Sequence, residues 1–323
     1  KQFLYLPLFC IVFCIGISVC SGNKHKRTML SRRYKQMIGR CALLFLVGTA
    51  LQFMWGNVDA SFLIYPWNLC VAVNYLYLHI LMYSYAGKYP WVKTLYDRPA
   101  TLSSFFSLLI LTLVFGLVRQ DGSTDSILGM IGFTRMSSSW IFVLYLLHFL
   151  TALGMKVIDD MVHWRKRNLP VVLMHVACYV VMLSSVLSSG EKVRVRVTAA
   201  ENASISMGIT ENRKMYELPF TLTLKEFSME GDSLRMYYLS KVAITDEEGT
   251  QEANILVNHP ASIGAWRIYQ AGYDQVQGRW ISIFECVKDG WYPLIQVAMW
   301  VILIGGVWMM FATYLNRILD YIP

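Results

Sequence analysis

Charge is scarce in this chain. Of its 323 residues only 15% are Asp, Glu, Lys or Arg, against 55% in the hydrophobic class. A soluble globule carries about a quarter charged residues, so a mean hydropathy of +0.42 speaks for a chain that crosses a membrane several times. Acidic residues are the scarcer sign, 21 against 29 Lys and Arg, for a formal charge of +8. The basic excess forms no continuous face and sits in short loops beside apolar runs, which argues against a nucleic-acid partner and reads as a topology signal. Seven cysteines, Cys10, Cys14, Cys20, Cys41, Cys70, Cys178 and Cys286, include no CxxC pair and no CxxCH haem-attachment motif. The chain is therefore not itself a c-type cytochrome. HExxH, GxSxG, the P-loop and the dinucleotide glycine fingerprint are lacking too, which removes the enzyme classes those motifs serve.

What is present in abundance is long apolar sequence. Seven runs, 3–20, 41–56, 62–85, 101–118, 137–155, 170–189 and 292–315, approach the ~20 residues a helix needs to cross hydrocarbon. In the first run the positive charge follows the apolar stretch, so it reads as a permanent span with its N-terminus outside and not as a secretory signal. Cations then collect after the first run (Lys24, Lys26, Arg27, Arg32, Arg33, Lys35, Arg40), the third (Lys88, Lys93, Arg98), the fifth (Lys156, Arg165, Lys166, Arg167) and the seventh (Arg317). With seven spans these loops share the cytoplasmic side, and residues 190–290 face the periplasm. The expected organisation is a three-helix membrane extension over 1–97, further membrane helices over 98–189, an outer domain over 190–290, and a final span with its tail over 291–323.

The outer segment reads as strand. Lys192, Val193, Arg194, Val195, Arg196 and Val197 alternate, as do Phe220, Thr221, Leu222, Thr223 and Leu224, the period of a half-buried strand. Asp246, Glu247, Glu248 and Gly249 separate two β-branched runs as a hairpin turn does. The fold class expected is a polytopic α-helical membrane protein with an inserted all-β domain, six or seven short strands forming a small sandwich or open barrel.

Ionisable residues inside a span are costly unless paired or functional, and three histidines qualify: His79, His148 and His175. Counted from the cytoplasmic ends of their runs, at ~1.5 Å per residue, all three fall at roughly 8–10 Å depth, as one cofactor plane would require. Neutral imidazole is the usual axial ligand of haem iron; the alternative is a hydrogen bond to a neighbouring helix or a side chain reaching the headgroups. His259, between Asn258 and Pro260, is a turn residue first and a possible outer-domain site second. Asp159 and Asp160 are adjacent on a helix, so their side chains diverge and do not form an acid/base pair.

The wording of the second half carries more. Leu218, Pro219, Phe220, Thr221, Leu222, Thr223, Leu224, Lys225, Glu226 and Phe227 are followed by Val257, Asn258, His259 and Pro260, then by Gly264, Ala265, Trp266, Arg267, Ile268, Tyr269, Gln270, Ala271, Gly272, Tyr273 and Asp274. Together with Leu128 to Phe133, Ser138, Ser139 and Trp140, this resembles the ResB family of cytochrome c biogenesis proteins over residues 98 to 317. The resemblance implies a four-span plan with a β domain before the last span, and haem b bound near the inner leaflet by the histidine of the span entering that domain, here His175. It also implies a bacterial inner-membrane location, a CcsA (ResC) partner subunit and apocytochrome c as client of a system II maturation complex. The second axial ligand is then His79, His148 or a residue of the partner. The tryptophan-rich WWD motif of the partner is missing, so the chain is expected to be a non-catalytic subunit of the haem lyase complex. A self-contained b-type haem electron carrier and a haem-free scaffold or sensor are the rival readings.

Overall fold

The computed structural model describes residues 24–319 apart from residues 87, 165–168, 212, 233–234 and 277. The apolar run at 3–20, with Cys10, Cys14 and Cys20, lies outside the described residues, as do Arg165, Lys166 and Arg167. The chain divides into two compact units, Lys1–Gly190 with Trp291–Pro323, and Glu191–Gly290.

The first unit is built on long helices: α1 (Lys24–Trp55), α2 (Trp67–Tyr85), α3 (Arg98–Leu117), α4 (Trp140–Val162), α5 (Leu169–Leu187) and α6 (Tyr292–Leu319). Among the described residues five segments are long and apolar enough to cross a membrane: Arg33–Trp55 of α1, α3, α4, α5 and Tyr292–Phe311 of α6. The protein is a membrane protein with a β domain. The sequence predicted seven spans; the first lies outside the described residues, and α2 falls short in composition. That helix has the 19 residues of α5, but Asn68, Asn74, His79 and four tyrosines dilute its apolar content.

Local chemistry sets where these helices begin. Asp97 accepts from the Ala100 backbone N–H (3.0 Å) with Pro99 in the first turn of α3, and Ser139 Oγ accepts from Phe142 N–H (3.2 Å) at the start of α4, side-chain caps on otherwise orphaned donors. Cross-links fix the directions. Gln52 accepts from Trp140 N–H (3.1 Å) while Tyr145 donates to the Cys41 carbonyl (2.6 Å), so α4 runs antiparallel to α1. Tyr75 pairs with Thr151 (2.9 Å) and Tyr83 donates to Asp159 (3.1 Å), so α2 runs parallel to α4. Arg33 to Asp97 (3.2 Å) and Arg40 to Thr94 (2.8 Å) join the start of α1 to the turn before α3. Helix α4 is the centre of the bundle, burying Ile141, Tyr145, Phe149, Leu150 and Leu153 in its core.

The second unit is one sheet of eight antiparallel strands, β1 (Val193–Ala200), β2 (Ser204–Thr210), β3 (Met215–Asp232), β4 (Arg235–Asp246), β5 (Gly249–Leu256), β6 (Ala261–Ile263), β7 (Trp266–Val276) and β8 (Arg279–Lys288). Their order, β5-β4-β3-β2-β1-β8-β7-β6, brings β5 back beside β6 and β7, a nearly closed barrel in place of a two-layer sandwich. Not all strands are short; β3 has 18 residues. Val195, Val197 and Ala199 are buried while Arg196 and Thr198 face out, the alternation of a pleated strand. In β3 the buried positions are even through Leu224 and then odd at Phe227, because a bulge between Leu224 and Glu226 inserts one residue. A second bulge between Gln270 and Gly272 does the same to β7. The two shifts aim Phe227 and Tyr273 at each other (5.4 Å, stacked), beside Tyr238 and Trp280. The expected hairpin turn is present: Asp246 accepts from Glu248 N–H (2.9 Å) and Gly249 N–H (3.1 Å).

Candidate functional site

The last two turns of α4 carry Lys156, Asp159 and Asp160 at i, i+3 and i+4, so one ammonium reaches both carboxylates. Lys156 Nζ lies 2.9 Å from Asp159 Oδ2 and 2.7 Å from Asp160 Oδ1. Beyond that shared cation the carboxylates diverge, as neighbours on a helix must. Asp159 turns to Tyr83 of α2 (3.1 Å) and His163 (3.3 Å). Asp160 turns to α5, where its Oδ2 is 2.7 Å from His175 Nδ1. An ionised carboxylate only accepts, so Nδ1 carries the proton, and in the neutral ring Nε2 holds the free lone pair. Among the described residues Nε2 has no partner, and the side chain keeps 23% of its exposure. An imidazole fixed through one nitrogen by an anion, with the other nitrogen open, is the arrangement of a metal-bound histidine supported from behind. These residues fit a haem-iron ligand.

His79 is placed differently. It is 1% exposed, its Nδ1–H donates to the Tyr75 carbonyl (2.6 Å), and its Nε2 is enclosed without a partner. Its ring stands edge-on to Tyr75 (4.4 Å) and Tyr179 (5.9 Å). Gly154 makes room for it: a Cβ there would come within 2.7 Å of His79 Cδ2, 2.8 Å of its Nε2 and 2.8 Å of Tyr179 Cε2. A ring set against helix backbone this closely leaves no slot for a porphyrin plane. His148 is half-buried, and its Nε2 too is enclosed and unpartnered. His259 is exposed in the turn between β5 and β6, where its backbone exchanges hydrogen bonds with Leu256 (3.0 and 3.2 Å) after Asn258 at φ 70°.

The expectation of a common depth for the three membrane histidines does not hold. His79 lies level with Gly154 and His175 with Asp160. Those rows are six residues apart on α4, and His148 is six residues the other way, so each step is about 9 Å. Two imidazoles on one metal ion need their nitrogens roughly 4 Å apart, twice the ~2 Å of a metal–imidazole bond, which is less than half of one such step. For His148 the difference lies in the cytoplasmic end of α4, which the apolar run at 137–155 puts at residue 155. Helix α4 continues to Val162 because Lys156, Asp159 and Asp160 pair with one another and with α2 and α5, which lets charged residues extend a span. The Asp160–His175 pair was not read from sequence; the spacing of Lys156 to the two aspartates was its one visible trace.

Three comparisons bear on kinship. Among solved structures the chain is similar to "Cytochrome c Heme Lyase CcmF" at 12% identity and a TM-score of 0.31, covering 62% of this chain and 33% of that one. The chain thus spans about a third of that protein's length. No curated protein matches it. A family model described as the ResB-like family matches residues 165–297, which take in α5 with His175, all eight strands and the first turns of α6. Over that segment the chain is similar to the ResB-like family.

Proposed function

We propose that this protein is the ResB-type subunit of a cytochrome c maturation complex of the system II kind, in which the membrane unit binds haem b through His175 Nε2. The observation that carries the reading is the 2.7 Å contact from His175 Nδ1 to Asp160, which leaves the second ring nitrogen open on a helix inside the family-matched segment. Haem, once bound, supplies the group that is attached to the CxxCH thiols of apocytochrome c. The chain's own part is to hold and orient: α5 presents the imidazole, α4 holds it from behind with Asp160, and the β unit offers a surface to the apocytochrome. Because His79 and His148 are displaced from His175 by about 9 Å and about 18 Å along α4, the second axial ligand is assigned to a CcsA-type partner subunit, which also completes the attachment chemistry. In this reading the β unit lies on the periplasmic side of a bacterial inner membrane, which the distribution of cations among the loops supports, with His175 towards the cytoplasmic side, where haem arrives. Segment 1–97 serves packing or partner docking.

The test is co-expression of the full chain with and without a CcsA-type subunit, followed by detergent extraction and pyridine haemochrome assay. Wild type is expected to carry haem with the partner present, and His175→Ala to lose it while still inserting. Equal haem in the two, or none in wild type with the partner bound, would refute the reading.

A further inference from the structure

The charged triad at the end of α4 does more than close a helix. We infer that Asp160 is the positioning residue that sets the donor strength and orientation of His175, and that Lys156 tunes it from the far side of the same carboxylate. This rests on the haem ligation proposed above and adds to it a named pair of residues with opposite effects.

The geometry divides the labour within one carboxylate. Oδ2 accepts the His175 Nδ1–H at 2.7 Å, and Oδ1 accepts from Lys156 Nζ at 2.7 Å. All three side chains are mostly withdrawn from solvent, 18% exposed for Asp160, 23% for His175 and 29% for Lys156, so the pairing is screened much less than on a surface. A carboxylate on Nδ1–H holds the ring in the tautomer whose Nε2 can coordinate, fixes its rotation about the side chain, and pushes electron density towards the coordinating nitrogen. Electron density on the ligand favours ferric over ferrous iron. Lys156 opposes this by drawing charge onto Oδ1. It is itself divided, since Asp159 holds it at 2.9 Å, and Asp159 is further occupied by Tyr83 and His163. Asp160 is thus left with net negative charge to direct at His175. Helical spacing supplies this without long-range design: 156, 159 and 160 share a face, and α5 brings the imidazole to the outer member.

The experiment uses the full chain with its partner subunit, purified in detergent, as wild type, Asp160→Asn, Asp160→Glu, Lys156→Gln and His175→Ala. Haem per chain, haem retention on dilution and the haem midpoint potential are read for each. Asp160→Asn is expected to hold haem roughly 10–100-fold less tightly and to raise the midpoint. Each tenfold of loss that falls on the ferric form alone corresponds to about 59 mV. Asp160→Glu, which keeps the acceptor and its charge, is expected to return both quantities towards wild type. Lys156→Gln is expected to move the midpoint the other way, downward, which a merely structural role would not produce. If His175→Ala loses haem while Asp160→Asn keeps wild-type retention and midpoint, the positioning claim is overturned and the ligation stands. If His175→Ala keeps its haem, the ligation itself fails. Should Asp160→Asn not insert, Lys156→Gln decides alone: an unmoved or raised midpoint there overturns the inference.

Discussion

Gly154 offers a measurement in which two opposing effects have known sizes. Replacing a helical glycine by alanine ordinarily gains about 1 kcal/mol of helix propensity. Here the added methyl would meet His79 Cδ2 at 2.7 Å, His79 Nε2 at 2.8 Å and Tyr179 Cε2 at 2.8 Å, all far inside contact distance. Neither ring yields easily: His79 is tied to the Tyr75 carbonyl at 2.6 Å and Tyr179 is 5% exposed in the same core. Overpacking of a tight core costs about 1–3 kcal/mol, and three contacts under 3 Å on locked rings put this site in the upper half of that range. The clash should win, leaving Gly154→Ala destabilised by about 1–2 kcal/mol, a factor of roughly 5–30 in the folded-to-unfolded ratio. The assay is reversible unfolding of the full chain in mixed detergent, run as a double-mutant cycle with His79→Ala. In the His79→Ala background the two contacts with His79 are gone and Tyr179 can turn into the vacated space, so the alanine should cost less, with an interaction energy of at least ~0.5 kcal/mol. If Gly154→Ala stabilises both backgrounds equally, by about the propensity gain, then the ring is not packed on Gly154 and its exclusion from haem binding loses its basis.

Three further outcomes follow from the β unit. Ser240 donates to Gln270 Oε1 (2.7 Å) and pairs with Ser282 (2.7 Å), both serines being fully buried; Ser240→Ala strands their polar atoms and should cost about 1–3 kcal/mol in urea unfolding, and an unchanged midpoint would refute the network. Gly249 sits at φ +142° with open space where a Cβ would go, so Gly249→Ala should cost about 1–3 kcal/mol through backbone strain alone, and wild-type stability would remove that claim. Burial, reinforced by Glu285, pushes the Cys286 thiol up from 9.0 to about 12. It should therefore resist alkylation at pH 8 until the chain is unfolded. Because the folded thiol keeps its proton where the unfolded one ionises, the contribution of Cys286 to stability should be constant below pH 9 and fall as pH rises from 9 towards 12, so that Cys286→Ala makes the alkaline decline shallower.

Much of the architecture was legible because the bilayer and the pleat impose periods that one sequence displays. The apolar runs at 101–118, 137–155, 170–189 and 292–315 each became a helix, since nothing but a helix satisfies its backbone in hydrocarbon. The alternation at 192–197 became β1, and the Asp246 to Gly249 turn joined β4 to β5, with both features fixed by residues within a few positions of one another. Barrel closure was not legible. It depends on β5 returning beside β6 and β7, and on bulges after Leu224 and Gln270 that shift the buried parity by one. In the sequence those bulges appear only as an unexplained step from Leu224 to Phe227.

The site was half legible for a related reason. His175 stood out because an imidazole in an apolar run needs an explanation, and that argument requires no neighbour. What the imidazole does is decided by Asp160, fifteen residues away and across a loop, and no local period links the two. In the sequence Lys156, Asp159 and Asp160 mark the end of a hydrophobic run, because charge inside hydrocarbon is costly. That cost falls sharply when each charge has a partner on an adjacent helix, which a single sequence does not display. The expected common depth rests on that boundary for His148: an end at residue 155 puts His148 seven residues from the cytoplasmic side, whereas α4 runs on to Val162. The rule that emerges is that a charged cluster with i, i+3 and i+4 spacing at the edge of an apolar run is as much evidence for a longer helix with a polar partner opposite as for a membrane boundary. Where a histidine enters the next span, that partner is the first place to look.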